Sequence, residues 1–186
     1  MPDVVDVIKD QHRRIDRLLE QAQEEDADVA SLVRQVADLL IPHSEAEEDF
    51  VYPTIRQKAS DAGSDVKDGV AEHHHIEDML RTLLEQEPGD PGYDGMLAAL
   101  TGELRHHVEE EEQELLPLLQ EKASGDELAA MGERFERATS GGSSGRTDSG
   151  SGDGELTRDQ LYEKAKEQDV PGRSSMTKEE LKDAVD

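Results

Sequence analysis

Cysteine and tryptophan are missing from this 186-residue chain, which holds only three tyrosines and two phenylalanines. Without cysteine there is no disulfide, no thiolate metal site and no cysteine-held iron–sulfur cluster. With aromatics at 3%, any core must be built from Leu, Val, Ile and Ala. That mixture suits helices better than sheets, which draw on β-branched and aromatic side chains. Positive charge is also scarce: 20 Lys and Arg stand against 46 Asp and Glu, a net charge of −26. Such a chain repels nucleic acid and anionic membrane and attracts cations, although a scattered acidic surface holds them weakly. No apolar run approaches the ~18 residues of a membrane span. The opening MPDVVDVIKDQH has no basic segment followed by an apolar stretch, so it does not read as a secretory signal. The expected compartment is the cytoplasm.

What is present is helical periodicity. Val5, Ile8, His12, Ile15, Leu19 and Ala22 recur at steps of three and four over a first segment from about 3 to 24, an amphipathic stripe. A second segment, about 28 to 59, carries Val36, Leu39, His43, Glu47 and Val51 on one stripe. A third, about 64 to 86, carries Val66, Val70, His73, Glu77, Leu80 and Leu84. A fourth, about 93 to 122, carries Leu97, Leu100, Leu104, His107, Glu111, Leu115 and Leu118. Asp-Ala-Gly-Ser at 61–64 and Pro-Gly-Asp-Pro-Gly at 88–92 punctuate them. Short loops between long helices favour antiparallel neighbours, so the expected fold is all-α, an up-down-up-down four-helix bundle over 1–138. Pro42 predicts a kink in the second helix, and a short fifth helix is expected over about 126–137. Eleven of the sixteen residues 139–154 are Gly or Ser, which reads as a flexible linker to a small helical module at 155–186.

All seven histidines lie between positions 12 and 107, at least one in each long segment. They belong to an internal repeat. His12-Arg-Arg-Ile-Asp-Arg-Leu-Leu19 matches His73-His-His-Ile-Glu-Asp-Met-Leu80, and the run from His43 to Pro53 matches the run from His107 to Pro117. The patterns are HxxI[DE]x[LM]L and HxxxEExxxxP, each occurring twice in alternation. Two helical hairpins of one design would pack with approximate two-fold symmetry.

Residues four apart share a helix face, so HxxxE presents an imidazole and a carboxylate together. His43 with Glu47, and His107 with Glu111, fall on the apolar stripes, where no Lys or Arg accompanies them. Burying an ionised carboxylate among leucines costs several kcal/mol unless it is paired or coordinates a metal. Two His–Glu pairs plus His12 and His73 give four nitrogens and at least two oxygens, a large set for one ion and a suitable one for two. The alternative is a polar-cored bundle whose histidines are merely structural. The repeat sets His74, His75 and His106 opposite Arg13, Arg14 and Pro42, so they are not expected as direct ligands, though His74 and His106 could hydrogen-bond to the site. Glu48 and Glu112 lie roughly 100° off the stripe and read as further ligands or supporting groups. Glu77, opposite the shorter Asp16, ranks below them. Nitrogen and hard oxygen donors suit Fe, Mn or Zn. The order is neither the HExxH of zinc proteases nor the Glu-x-x-His of ferritin-like bundles.

The HxxxE pairs, the leading histidines and the prolines after them resemble the hemerythrin HHE cation-binding family over residues 3–122. The resemblance implies a non-haem di-iron site, two Fe ions bridged by carboxylate and by oxo or hydroxo groups, with His12, His43, Glu47, His73, His107 and Glu111 as ligands. Oxygen-carrying members have a second histidine four residues after the one matched by His73. Glu77 stands there, one nitrogen fewer, which argues against reversible oxygen carriage. The expected roles are therefore binding or sensing O2, NO or peroxide in oxidative or nitrosative stress, enzymatic decomposition of peroxide or NO, or iron buffering.

In the C-terminal module, Leu161, Ala165 and Val170 are expected to face Met176, Leu181 and Val185 across a turn at 171–175, with Thr177 and Glu180 as a capping box. It resembles Rho N-terminal and SAP-type modules, whose relatives often bind nucleic acid. Six Lys/Arg against nine Asp/Glu over 155–186 give it a net charge of −3, which favours a protein partner instead.

Overall fold

The computed structural model describes residues 2–140, 161, 164 and 178–185 of the chain, which divides into two units, 1–143 and 144–186. The first unit is helical. Helix α1 spans Val4–Gln21, with the Asp3 carboxylate accepting the Asp6 N–H at 3.0 Å. Helix α2 spans Val29–Ala46, with Asp28 accepting the Ser31 N–H at 3.1 Å. Such caps satisfy amides that have no partner within the first turn. Helices α3 (Tyr52–Lys58), α4 (Gly63–Leu84), α5 (Tyr93–Glu110), α6 (Leu116–Lys122) and α7 (Gly125–Thr139) follow. Gly89 and Gly92 take positive φ in the turn before α5, a conformation that costs glycine nothing. Among the described residues there is no strand, and no helix is long and apolar enough to cross a membrane.

Two expected continuous helices, 28–59 and 93–122, are each interrupted by a π-helical turn, at Glu47–Val51 and Glu111–Leu115. The prolines of the repeat supply the reason. Pro53 and Pro117 have no N–H for the carbonyl four residues back, and their rings crowd it. The helix widens instead: the Tyr52 N–H bonds to the Glu47 carbonyl and the Leu116 N–H to that of Glu111, each five residues back. Each wide turn begins at the glutamate of an HxxxE pair. Helix α2, by contrast, continues through Pro42.

Helix α1 packs on α2, α2 on α4, α4 on α5 and α5 on α1. Their apolar faces form two clusters. One gathers Val4, Ile8, Phe50, Ile55, Leu116 and Leu119; the other gathers Ile15, Leu19, Val36, Leu80, Leu100 and Leu104. Each such side chain contributes about 1.5–3 kcal/mol when fully buried. Leu84, expected inside, is 40% exposed, and Leu83 fills the inward position, because α4 ends there and the stripe has drifted by one residue.

The expected short fifth helix is a 15-residue rod, α7, with a complete Ser124/Glu127 capping box. It lies against α1 and α2 and buries Leu128 and Phe135. Gly132 permits the fit, since a Cβ there would stand 2.8 Å from the Pro2 carbonyl oxygen and 3.0 Å from the Asp3 carbonyl carbon. Backbone cannot yield as a side-chain tip can. Gly132→Ala is expected to cost about 1–3 kcal/mol of stability, read by urea denaturation; an unchanged midpoint would show that α7 does not seat as described.

In the second unit, Leu161, Leu181 and Val185 are buried, the last two on a helix spanning Lys178–Val185. The expected contacts of Ala165, Val170 and Met176, the 171–175 turn, the Thr177/Glu180 box and the linker from 141 on lie outside the described residues.

Candidate metal centre

The two apolar clusters are separated by a layer of ionisable side chains. Each histidine enters it from an apolar stripe: His12 between Ile8 and Ile15, His43 between Leu40 and Ala46, His73 before Ile76, and His107 after Leu104. His12, His43, Glu47, His73, His107 and Glu111 are all at most 4% exposed.

The imidazoles meet through their Nε2 atoms. His12 Nε2 lies 3.1 Å from His43 Nε2, and His73 Nε2 lies 3.0 Å from His107 Nε2. Glu47 spans the pairs, with Oε1 3.2 Å from His43 Nε2 and Oε2 3.3 Å from His73 Nε2. Glu111 Oε2 lies 3.3 Å from His12 Nε2. Neither oxygen of Glu47 or Glu111 has a hydrogen bond of acceptable geometry, although all four are buried.

The outward nitrogens are all occupied. His12 Nδ1 donates to Glu112 at 2.9 Å, His43 Nδ1 to the Gln11 side-chain oxygen at 3.0 Å, His73 Nδ1 to Glu48 at 3.2 Å, and His107 Nδ1 to Glu72 at 2.9 Å. The repeat explains this. Gln11 and Glu72 each precede the leading histidine of a hairpin and anchor the second histidine of the same hairpin. Glu48 and Glu112 each follow an HxxxE glutamate and anchor the leading histidine of the other hairpin. Fixing the proton on Nδ1 turns the Nε2 lone pair inward, the tautomer that a metal-binding imidazole needs.

Without a cation, protons hold this cluster together. Burial alone would depress His12, but the Glu111 and Glu112 carboxylates raise it to about 9. Burial likewise opposes charge on His73, yet Glu47 and Glu48 raise it to about 10. His43 goes the other way: burial lowers it, and the charge on His12 adds to that, against the pull of Glu47. Burial would push the Glu47 carboxyl up, but His43 and His73 hold it well below the usual carboxylate range. Two protonated imidazoles thus stand where cations would.

The donors fall into two groups with ligand atoms within 4.8 Å of one another, His12–His43–Glu47 and Glu47–His73–His107. Glu47 belongs to both. Orphaned carboxylate oxygens facing inward nitrogen lone pairs are the arrangement that a cation completes. The model of the hemerythrin HHE cation binding domain matches residues 3–119. The chain belongs to that family. It is also similar to an uncharacterized hemerythrin-like protein of Schizosaccharomyces pombe (strain 972), 29% identical over 99 residues, 53% of this chain and 49% of that protein. The chain therefore spans about half the length of the curated relative it matches. No solved structure matches it.

The six residues expected as ligands all enter this hemerythrin-like centre. Glu48 and Glu112 sit behind it. His74 lies 3.5 Å from Glu48, so it supports the group that anchors His73. His75 is exposed, and His106, also exposed, pairs with Glu110 at 3.4 Å. Glu77 is buried and paired with Arg81 of the next turn at 3.3 Å, so the carboxylate that replaces the family's histidine has a local counterion.

Five contributors escaped the sequence reading. Gln11 and Glu72 lie one position off the stripe; only their place before matched histidines could have flagged them. Phe135 of α7 packs edge-on against His43 with centroids 5.4 Å apart, and Thr139 accepts from Gln11 at 2.8 Å. Tyr52 stacks on His73 and brings its hydroxyl 3.4 Å from His73 Nε2. Burial and the nearby Glu111 and Glu47 hold that hydroxyl protonated. In the other hairpin Leu116 takes its place, so the centre is asymmetric.

Gln11→Leu would leave all six inward donors in place and free only His43 Nδ1. Metal affinity is expected to fall about 10–100-fold with helix content unchanged, as read by chelator competition and circular dichroism. Unchanged affinity would remove Gln11 from the centre.

Proposed function

We propose that the protein is a non-haem di-iron protein that binds or senses a small ligand, O2, NO or peroxide, in oxidative or nitrosative stress. The observation that carries this is the inward convergence of four Nδ1-anchored imidazoles on two orphaned carboxylates. Nitrogen and carboxylate donors without thiolate suit iron, as does membership of the family. The closed packing of α1, α2, α4 and α5 supports a four-helix antiparallel bundle, with α7 as an added fifth rod.

When bound, an iron pair supplies reversible electron transfer and coordination positions that six protein donors leave open. The chain does the rest. A cavity of about 280 Å³ reaches His12 between α1 and α5, lined by Ile15, Leu104 and Val108 together with Arg13, Asp16, Arg105 and Glu112, and its size suits a small molecule. The Tyr52 hydroxyl keeps its proton and faces the centre as a hydrogen-bond donor. That donor also favours a second reading, turnover of peroxide or NO, because it is a proton source beside the ions. The acidic 155–186 segment fits a protein partner better than nucleic acid.

Mixing the reduced, iron-loaded protein with O2, NO and peroxide in a stopped-flow instrument tests these readings. Stoichiometric, reversible spectral changes are expected for binding and sustained O2 release from peroxide for turnover. No spectral change with any of the three would overturn both.

A further inference from the structure

A second opening leads to the same centre and differs in character. Between α4 and α5 a cavity of about 210 Å³ is lined by Asp65, Asp68, Glu72, Glu110 and Glu114, with buried Glu111 and His107 at its floor. The cavity at His12 sets Arg13 and Arg105 against Asp16 and Glu112 beside its apolar walls, with Arg105 bonded to Asp16 at 2.7 Å. Only the opening between α4 and α5 has charged side chains of one sign, all of them carboxylates.

We propose that the acidic mouth between α4 and α5 is the route by which metal ions reach the centre. Glu111 closes the inner end: it is 1% exposed, neither oxygen has a hydrogen bond of acceptable geometry, Oε2 lies 3.3 Å from His12 Nε2, and it lines the same cavity. An ion drawn into the mouth therefore meets a buried carboxylate without a well-formed hydrogen bond at its inner end. On the way lies a station. Glu72, His106 and Glu110 bring ligand atoms within 4.8 Å of one another, a weak exposed site with one nitrogen and two carboxylates. Glu72 also accepts from His107 Nδ1, so the station touches the second layer of the centre directly. His106 has no counterpart in the first hairpin, where Pro42 occupies its place, so the mouth belongs to one half of the repeat. Clefts lined by charge of one sign focus field lines and raise the local ion concentration.

The inference rests on the metal-centre reading, and the test separates the two. Metal-stripped full-length protein is mixed with cobalt(II), and loading is followed by visible d–d absorption. The triple variant Asp65→Asn, Asp68→Asn, Glu114→Gln should load about tenfold more slowly but reach the same final absorbance. His106→Ala should also load more slowly. The matched triple variant at exposed sites between α1 and α2, Glu24→Gln, Glu25→Gln, Asp26→Asn, changes the net charge equally and should load at the parent rate. High salt should erase the difference. Equal rates for the two triple variants would overturn the route while leaving the centre intact. Failure of the parent protein to bind cobalt would overturn both.

Discussion

Glu47→Ala protein should purify with almost no metal, although five of the six inward donors remain. Glu47 alone belongs to both of the buried donor groups, its two oxygens facing His43 and His73, so its loss would open both proposed ion sites rather than one. Stability should fall by two routes. Removing one partner of a buried charged pair costs about 3–5 kcal/mol, here by leaving the charge on His73 without its nearest inward carboxylate. Loss of the ions also removes the linkage they provide, about 4 kcal/mol for a ligand present at a thousand times its Kd. Metal-to-protein ratio and thermal melting read the two effects separately. His75→Ala, on the exposed face of α4, should change neither. A Glu47→Ala protein that kept two ions would mean that the carboxylate does not bridge.

The second large effect is a reversal of pH dependence between stripped and loaded protein. In the stripped protein the folded-state values of His12 and His73, about 9 and about 10, lie above the ordinary 6.5. Their stabilisation is complete below 6.5 and is lost as pH rises through about 9 and then about 10. The loss is on the order of a few kcal/mol. His43, held neutral, acts in the opposite sense only below 6.5. The stripped protein should therefore melt at progressively lower temperature between 6.5 and about 10. In the loaded protein the ions occupy Nε2, so melting should stay level over that range and collapse on acidification, when protons compete for the ligands. Loading near neutral pH should release protons from His12 and His73, detectable with a pH indicator. A stripped protein that gains stability toward pH 10, or loading without proton release, would contradict the account.

The convergent inward donors were legible in the sequence because helical geometry turns a spacing of four into a shared face, and because the repeat supplied each residue with a twin. His43 with Glu47 and His107 with Glu111 could be read from one line of text. The π-helical turns could not, since their signal is a proline six residues beyond the glutamate rather than a break in the stripe. Nor could the outward anchors Gln11 and Glu72, which sit off the apolar face and matter only through contacts across helices. Helix α7 looked like a short appendage because its periodic signal is brief. Its importance lies in Phe135 and in the close approach that Gly132 allows, both matters of tertiary packing. Tyr52 was hidden by its own asymmetry, since Leu116 stands at its matched position.

The central claim is that inward imidazoles and orphaned carboxylates between the two apolar clusters exist to hold a pair of cations. Anomalous diffraction at the iron edge from crystals of iron-loaded protein tests it most directly. The expected result is two peaks about 3.5–4 Å apart, one beside His12, His43 and Glu47 and the other beside Glu47, His73 and His107. A single peak, or density confined to Glu72, His106 and Glu110 at the surface, would contradict it.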